Sequence, residues 1–205
     1  AGLQVLLDCH GAVGGESPSA PCGHKDATWA HWRWNPAASL VALRAVAERY
    51  RDRSCICAIG VANEPAETLD ARQLACFYED AIRTVRMAGM RAGEVTVLLP
   101  VFTEARVDEF LWIWEQNYAK YDDVAFDLHL YQCFGDWWKR VSLEQHLKHA
   151  EERAELLDRL PTCCVSEWSL AMPAGLTARM GEDSKNAYRR FAQKQLKSYE
   201  VATHG

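Results

Sequence analysis

Several features of other protein classes are missing from this sequence. No apolar run reaches the roughly 18 residues that a membrane helix needs, and the stretch from Ala1 to Asp8 has neither the basic start nor the cleavage site of a signal peptide. The basic residues are not clustered, and the 205-residue chain has a formal net charge of −5. We therefore expect no membrane segment in this chain and no nucleic-acid partner.

Motifs for metals and cofactors are missing as well. None of the eight cysteines belongs to a C-x-x-C pair, and the segment Gly11 to Gly15 is not a G-x-G-x-x-G phosphate loop. His146 and His149 are three apart on a predicted helix without a third ligand, which favours a solvent-facing pair. The sequence thus predicts no metal site and no cofactor. We expect buried thiols, with one disulfide, for instance at Cys22 or Cys133, as the alternative.

Apolar, strand-like segments alternate with helical patterns along the chain. The predicted strands are Leu3–Asp8, Cys55–Ala62, Val95–Val101, Val124–Leu130 and Thr162–Glu167. Their apolar runs are continuous, as in parallel strands that are buried on both faces. Four predicted helices begin at Asn35, Val107, Ser142 and Ser184. A further predicted helix carries Leu74, Phe77, Ile82 and Val85 and ends at Gly89. This alternation predicts parallel strands with right-handed crossovers, in an open doubly wound sheet or a closed (β/α)8 barrel.

Polar or aromatic residues follow the C-terminal end of every predicted strand. They are His10, Asn63 and Glu64, Phe102 to Glu104, His129 to Tyr131, and Glu167. Barrel enzymes place their chemistry at this end of the strands, so the pattern favours the barrel. Cleavage of a glycosidic bond requires one carboxyl group that holds a proton and one carboxylate that attacks the sugar. Glu64 and Glu167 are the candidate pair.

Four segments, in order along the chain, resemble glycoside hydrolase family 5, and within it the exo-β-1,3-glucanases. They are Leu7-Asp8-Cys9-His10-Gly11-Ala12, Asn63-Glu64-Pro65, Asp127-Leu128-His129-Leu130-Tyr131-Gln132 and Ser166-Glu167-Trp168-Ser169. The resemblance implies that Glu64 is the general acid/base and Glu167 the nucleophile. It further implies that Asn63 binds the 2-hydroxyl group of the sugar and that His10 lines the glycone subsite.

The same resemblance implies roles for four further residues. His129 and Tyr131 would orient and hydrogen-bond the nucleophile region, and Phe102 and Phe134 would clamp a glucosyl ring at the acceptor-side entrance. Five tryptophans also lie in apparent loops or helix starts, where indole faces suit sugar rings: Trp29, Trp32, Trp34, Trp137 and Trp138. For the first three, packing against the next helix is the alternative.

The strand count differs from that of the family. If Leu3–Asp8 is the family's third strand, Thr162–Glu167 is the seventh, and a closed barrel takes about 250 residues. We therefore expect an α/β fold that is a partial (β/α)8 TIM barrel of about five β/α units, forming a single catalytic domain over 1–205. The chain is expected to be a fragment truncated at both ends, or else a degenerate domain. The family's arginine on the second strand and tryptophan on the eighth would then be absent.

The resemblance implies a retaining exo-β-1,3-glucanase that releases glucose from β-glucan, with no cofactor. A monomer that acts outside the cell or in the cell wall is expected. A β-1,4-glucanase, mannanase or glucosylceramidase-type activity is an alternative on the same scaffold. A catalytically idle carbohydrate-binding or structural remnant is the alternative outside enzymes. The 205-residue chain alone is expected to be inactive or nearly so.

Overall fold

The computed structural model describes residues 2–23, 25–117, 120–176 and 184–204. In that part of the chain, five strands alternate with five α-helices. In chain order they are β1 (Val5–Asp8), α1 (Pro36–Tyr50), β2 (Ile56–Gly60), α2 (Ala71–Met87), β3 (Thr96–Phe102), α3 (Val107–Asn117), β4 (Val124–Leu130), α4 (Leu143–Asp158), β5 (Cys163–Trp168) and α5 (Ser184–Tyr199). The helices of the described residues include none that is long and apolar enough to cross a membrane.

The five strands are parallel and lie in one sheet in the order β1-β2-β3-β4-β5. In the pair β1–β2, Asp8 is opposite Gly60, and in the pair β2–β3, Gly60 is opposite Leu98. A doubly wound sheet reverses its strand order at a switch point, whereas this order simply follows the chain. The sheet therefore has the strand order of a (β/α) barrel.

The burial of the strands differs along the sheet. Four of the five residues of β2 and every residue of β4 are buried, as the continuous apolar runs predict. In contrast, β1 is exposed at three of its four positions, including Val5 and Leu6. The expectation that all strands are buried on both faces is therefore wrong for β1, because this strand is at the end of the sheet and pairs only with β2 among the described strands.

Local sequence signals set the helix ends. The Asn35 side chain accepts a hydrogen bond from the Ala38 N–H at 3.0 Å and thereby begins α1. Ser142 and Gln145 form the reciprocal bonds of a capping box at the start of α4. Helix α2 ends just before Gly89, whose φ of 101° is available to glycine at little cost.

The chain divides into two compact units, Ala1–Asp127 and Leu128–Gly205. The first unit contains a chain of aromatic contacts through Trp34, Phe77, Tyr78, Phe110 and Phe126. The second unit has a smaller core of Leu147, Ala150 and Phe191, with Leu143 and Met172 packed against it. The single catalytic domain over 1–205 stays a prediction.

The cysteines differ from the expectation. All eight carry free thiols, so the alternative of a disulfide at Cys22 or Cys133 is wrong. Cys22, Cys163 and Cys164 are buried, but Cys55 and Cys76 are exposed. The prediction of buried thiols thus holds for only part of the set, because Cys55 lies in a turn before β2 and Cys76 is on the exposed face of α2.

Candidate active site

His10 and Asn63 meet in the first unit. Asp8 closes β1 opposite Gly60 of β2, so the residues that follow these strands emerge side by side. Nδ1 of His10 bonds to the Asp8 carboxylate, and its Nε2 is 3.4 Å from Nδ2 of Asn63. In this arrangement Nε2 accepts from the Asn63 amide and Nδ1 donates to the Asp8 carboxylate. The His10 side chain is 52% exposed, so a ligand has access to the ring.

Asn63 is almost fully buried and only partly satisfied. Its Nδ2 also donates to the Pro21 carbonyl oxygen at 3.3 Å, while its buried Oδ1 has no hydrogen-bond partner among the described residues. A buried acceptor that lacks a partner costs about 1–3 kcal/mol. Such an atom suits a hydroxyl group that arrives with a ligand.

Glu16, which no sequence motif indicated, anchors the loop that follows β1. This fully buried carboxylate accepts from the Ala12 N–H at 2.8 Å and from the Asn63 N–H at 3.2 Å. Its own carbonyl oxygen accepts from the Ala66 N–H at 2.9 Å. Burial raises the pKa of Glu16, and the backbone donors Ala12 and Asn63 oppose that rise. Glu16 thus holds the backbone on both sides of Glu64.

Glu64 is half-buried, four residues beyond the end of β2. Its carbonyl oxygen accepts a hydrogen bond from Sγ of the buried Cys22 at 3.3 Å. Burial, followed by the nearby charge of Glu16, raises the pKa of the Cys22 thiol to about 11, so the thiol stays a neutral donor at ordinary pH. The Glu64 backbone is therefore fixed from the loop after β1.

Glu167 is held by two side chains within the second unit. It is on β5, and its Oε2 accepts a hydrogen bond from the Tyr131 hydroxyl at 2.9 Å. Nδ1 of His129, a nearly buried side chain on β4, is 3.4 Å from the same oxygen. His129 and Tyr131 are two apart at a strand end and therefore share one face of the sheet. These contacts fix the carboxylate while its side chain stays 30% exposed.

Aromatic side chains surround the segment after β4. The Phe134 ring, 68% exposed, meets the Tyr131 ring edge-on at 5.2 Å. Trp137 is also exposed and packs against Trp138, which stacks on His146 at 5.1 Å. Phe134 and Trp137 are thus exposed rings that pack against a second ring, and an exposed aromatic face can stack on the C–H face of a sugar.

Phe102 has an unusual backbone and lines a cavity. It ends β3 with a φ of 69°, in the left-handed region that bulky residues avoid. Such a conformation costs about 1–3 kcal/mol and is found mostly where the surrounding structure enforces it at a functional site. The cavity, of about 560 Å³ and within the first unit, combines the rings of Phe102, Trp29 and His31 with Glu67.

The structure corrects one expectation from the sequence, for His146, and decides between the two alternatives for Trp34. His146 is not solvent-facing: it is fully buried, with Nδ1 2.8 Å from Oε1 of Gln132 and Nε2 3.2 Å from the Trp138 carbonyl oxygen. Burial lowers its pKa. Trp34 is also buried, edge-on to Phe77 at 5.0 Å, so packing rather than sugar binding explains it.

Comparisons with known proteins agree with the sequence resemblance. No family model matches the sequence. The glucan 1,3-beta-glucosidase of Blumeria graminis is 31% identical over 175 residues, which are 82% of this chain and 39% of that protein. The probable glucan 1,3-beta-glucosidase A of Aspergillus clavatus is 28% identical, with 92% of this chain and 44% of that protein covered. The probable glucan endo-1,6-beta-glucosidase B of Aspergillus terreus is 22% identical, with 98% and 51% covered. The chain therefore spans about two fifths to one half of the length of these relatives.

Solved structures share the fold. The structure of XacCel5A in complex with cellopentaose aligns with a TM-score of 0.63 at 16% identity, covering 98% of this chain and 61% of that one. The native beta-glucanase SdGluc5_26A of Saccharophagus degradans aligns with a TM-score of 0.59 at 13% identity, covering 95% and 56%. The predicted fold, a partial (β/α)8 barrel of five β/α units, is confirmed. The resemblance to glycoside hydrolase family 5 is confirmed too.

Proposed function

We propose that this glycoside hydrolase family 5 chain carries the catalytic carboxyl groups of a retaining β-glucanase. The observation that carries the proposal is the environment of Glu167, a half-exposed carboxylate at a strand end that Tyr131 and His129 hold by one oxygen. The other oxygen is left to act as the nucleophile. Glu64, next to Asn63 beyond β2, is the second carboxyl group.

The proposed reaction has two steps, each of which inverts the configuration at the anomeric carbon. In the first, the Glu167 carboxylate attacks that carbon, the glycosidic C–O bond breaks, and Glu64 donates its proton to the leaving oxygen. In the second, Glu64 takes a proton from water, the water oxygen attacks the same carbon, and the ester bond to Glu167 breaks. The configuration of the product is thus retained. A retaining pair has carboxyl groups about 5–5.5 Å apart, and we expect this separation in the full-length protein.

The first unit would hold the sugar at the cleavage point. The unpaired Oδ1 of Asn63 is suited to accept from the 2-hydroxyl group, a bond that strengthens in the transition state of glycosidases. His10 offers an exposed ring beside Asn63, oriented by Asp8. Only a hydrogen bond that is stronger in the transition state than in the ground state accelerates the chemical step, and preorganised groups supply such a bond.

Aromatic residues would bind the acceptor side of the substrate. Phe134 is exposed beside Tyr131, and Phe102 lines the cavity with Trp29. The proposed substrate is β-1,3-glucan, cleaved from its end to release glucose, because glucan 1,3-beta-glucosidases are among the sequence relatives. An endo-1,6-beta-glucosidase among the relatives makes β-1,6-glucan the competing substrate.

Glucose release from laminarin and from a β-1,6-glucan by the full-length protein tests the proposal. We expect laminarin to be the better substrate, with retained configuration in the first glucose detected by proton NMR. Glu167→Gln should abolish turnover, because a neutral amide does not form the glycosyl ester. Glu64→Gln should be slow on laminarin but much less impaired on an aryl β-glucoside whose leaving group needs no proton.

Glu48→Gln is the matched control, because it makes the same substitution at an exposed glutamate on α1, outside the proposed site. It should retain turnover of the aryl glucoside. Wild-type rates in the Glu167→Gln variant would contradict the assignment of the nucleophile. A full-length protein that binds laminarin without cleaving it would support the alternative of an idle remnant.

A further inference from the structure

A buried arginine donates hydrogen bonds to the backbone where β4 ends. Arg153, on α4, is 3% exposed and donates through Nη1 to the Leu130 carbonyl oxygen at 3.3 Å. Its Nη2 donates to the Tyr131 carbonyl oxygen at 3.1 Å. Tyr131 is the residue whose hydroxyl group bonds to Glu167. The guanidinium group thus fixes the peptide that carries this hydroxyl group.

The same guanidinium group connects to α5. Nη1 of Arg153 donates to the Tyr199 hydroxyl oxygen at 3.0 Å, and that hydroxyl group donates to Oε1 of Gln195 at 3.0 Å. Gln195 is fully buried, and its Nε2 donates to the Ser169 carbonyl oxygen at 3.2 Å. The Tyr199 ring also meets the Trp168 ring edge-on at 5.8 Å.

These bonds form one network, the Arg153–Tyr199–Gln195 network, which reaches both segments that fix Glu167. On one side it holds the end of β4, and on the other it holds Trp168 and Ser169, the two residues that follow Glu167. Every bond of the network is within the second unit. Buried polar groups that are linked in this way act together and hold one geometry.

We propose that the Arg153–Tyr199–Gln195 network positions the Glu167 carboxylate for attack. Its three members touch no substrate, and they act through Tyr131 on one side and through Trp168 and Ser169 on the other. The proposal rests on the proposed function, in which Glu167 is the nucleophile. A nucleophile must be in line with the anomeric carbon, and a misplacement of about 1 Å costs about 100-fold in rate. The network therefore affects the rate of covalent attack more than it affects affinity for the sugar.

Tyr199→Phe is the decisive variant, because it removes the hydroxyl group from the network and keeps the ring against Trp168. Tyr188→Phe is the matched control: the same substitution on the same helix, at a half-buried tyrosine without a hydrogen bond in the described part of the chain. The probe is 2,4-dinitrophenyl 2-deoxy-2-fluoro-β-glucoside. The Glu167 carboxylate displaces dinitrophenolate from its anomeric carbon and forms a stable ester.

The full-length protein is incubated with the probe at several concentrations, which separates the first-order rate constant of labelling from the dissociation constant of the probe. We expect Tyr199→Phe to lower the rate constant roughly tenfold, with a dissociation constant within about twofold of wild type. Tyr188→Phe should match wild type in both. Gln195→Met, which removes the donor to Ser169, should lower the same rate constant and covers the case in which Tyr199→Phe does not fold.

The outcomes separate this inference from the proposed function. A wild-type protein that is never labelled overturns both. A labelled wild type with equal rate constants in Tyr199→Phe, Gln195→Met and Tyr188→Phe overturns the positioning role alone. A loss of thermal stability without a change in the rate constant also overturns it, since the network would then support only the fold.

Discussion

At the residue scale, His146 shows how burial determines the charge of a side chain. Burial lowers its pKa from the ordinary value of 6.5, and the hydrogen bond to the Trp138 carbonyl group only partly opposes this. The folded protein therefore holds a neutral ring under conditions in which the unfolded chain would bind a proton. The stability that depends on this neutral ring is present above about pH 6.5 and is lost as the pH falls toward the lowered value.

The free energy of unfolding is expected to fall between pH 7 and pH 5, and His146→Gln should make that fall less steep. A glutamine cannot bind the proton, so the variant lacks the proton-linked part of the loss. Denaturant unfolding at a series of pH values provides the measurement. Ser54→Ala, at an exposed residue that binds no proton, is the control and should leave the pH dependence unchanged. Parallel profiles for wild type and His146→Gln would rule out this explanation.

The candidate catalytic residues could be proposed from local sequence, but their supports could not. Glu64 and Glu167 stand in short motifs after apolar runs. Glu16 becomes important only because the fold brings its carboxylate to the backbone of Asn63, far along the chain. Arg153 likewise depends on a contact between α4 and the end of β4. Spacing within one helix also did not show that His146 faces the core.

At the element scale, the strands and helices follow their sequence signals closely. Every predicted strand occurs within two residues of its expected bounds, and β4 matches at both ends. Continuous apolar runs and helix caps are local properties, and a single sequence contains them. The exposure of β1 was not predictable in this way, because it depends on which neighbours a strand has in the sheet.

The capping box of α4 gives a prediction at this scale. Ser142→Ala removes the hydroxyl group that accepts from the Gln145 N–H and should lower the free energy of unfolding by about 1 kcal/mol. Ser54→Ala, at an exposed serine outside any helix, is the control and should change it by less than about 0.5 kcal/mol. Denaturant titration of the two variants tests the difference. Equal stabilities would mean that α4 is held by its packing alone.

At the scale of the whole molecule, the chain contains five β/α units and spans about two fifths to one half of the length of the relatives described above. The alternation of strands and helices predicted this architecture, because a parallel sheet requires crossovers that local patterns reveal. The division at Asp127 and Leu128 was not predicted, since it falls within β4 and follows no break in the apolar pattern. Glu64 belongs to the first unit and Glu167 to the second, and the proposed reaction requires both carboxyl groups at one anomeric carbon.

Peptide mapping of the full-length protein after reaction with the fluorinated glucoside is the decisive test of this requirement. A retaining pair forms a covalent glycosyl ester on one carboxylate, whereas an inverting pair forms none. We expect a single 2-fluoroglucosyl group on the peptide that contains Glu167, and no labelling of Glu167→Gln. We further expect slower labelling of Glu64→Gln when a poor leaving group replaces dinitrophenolate. Attachment to Glu64, or turnover of laminarin with inverted configuration and no labelled peptide, would contradict the proposed reaction.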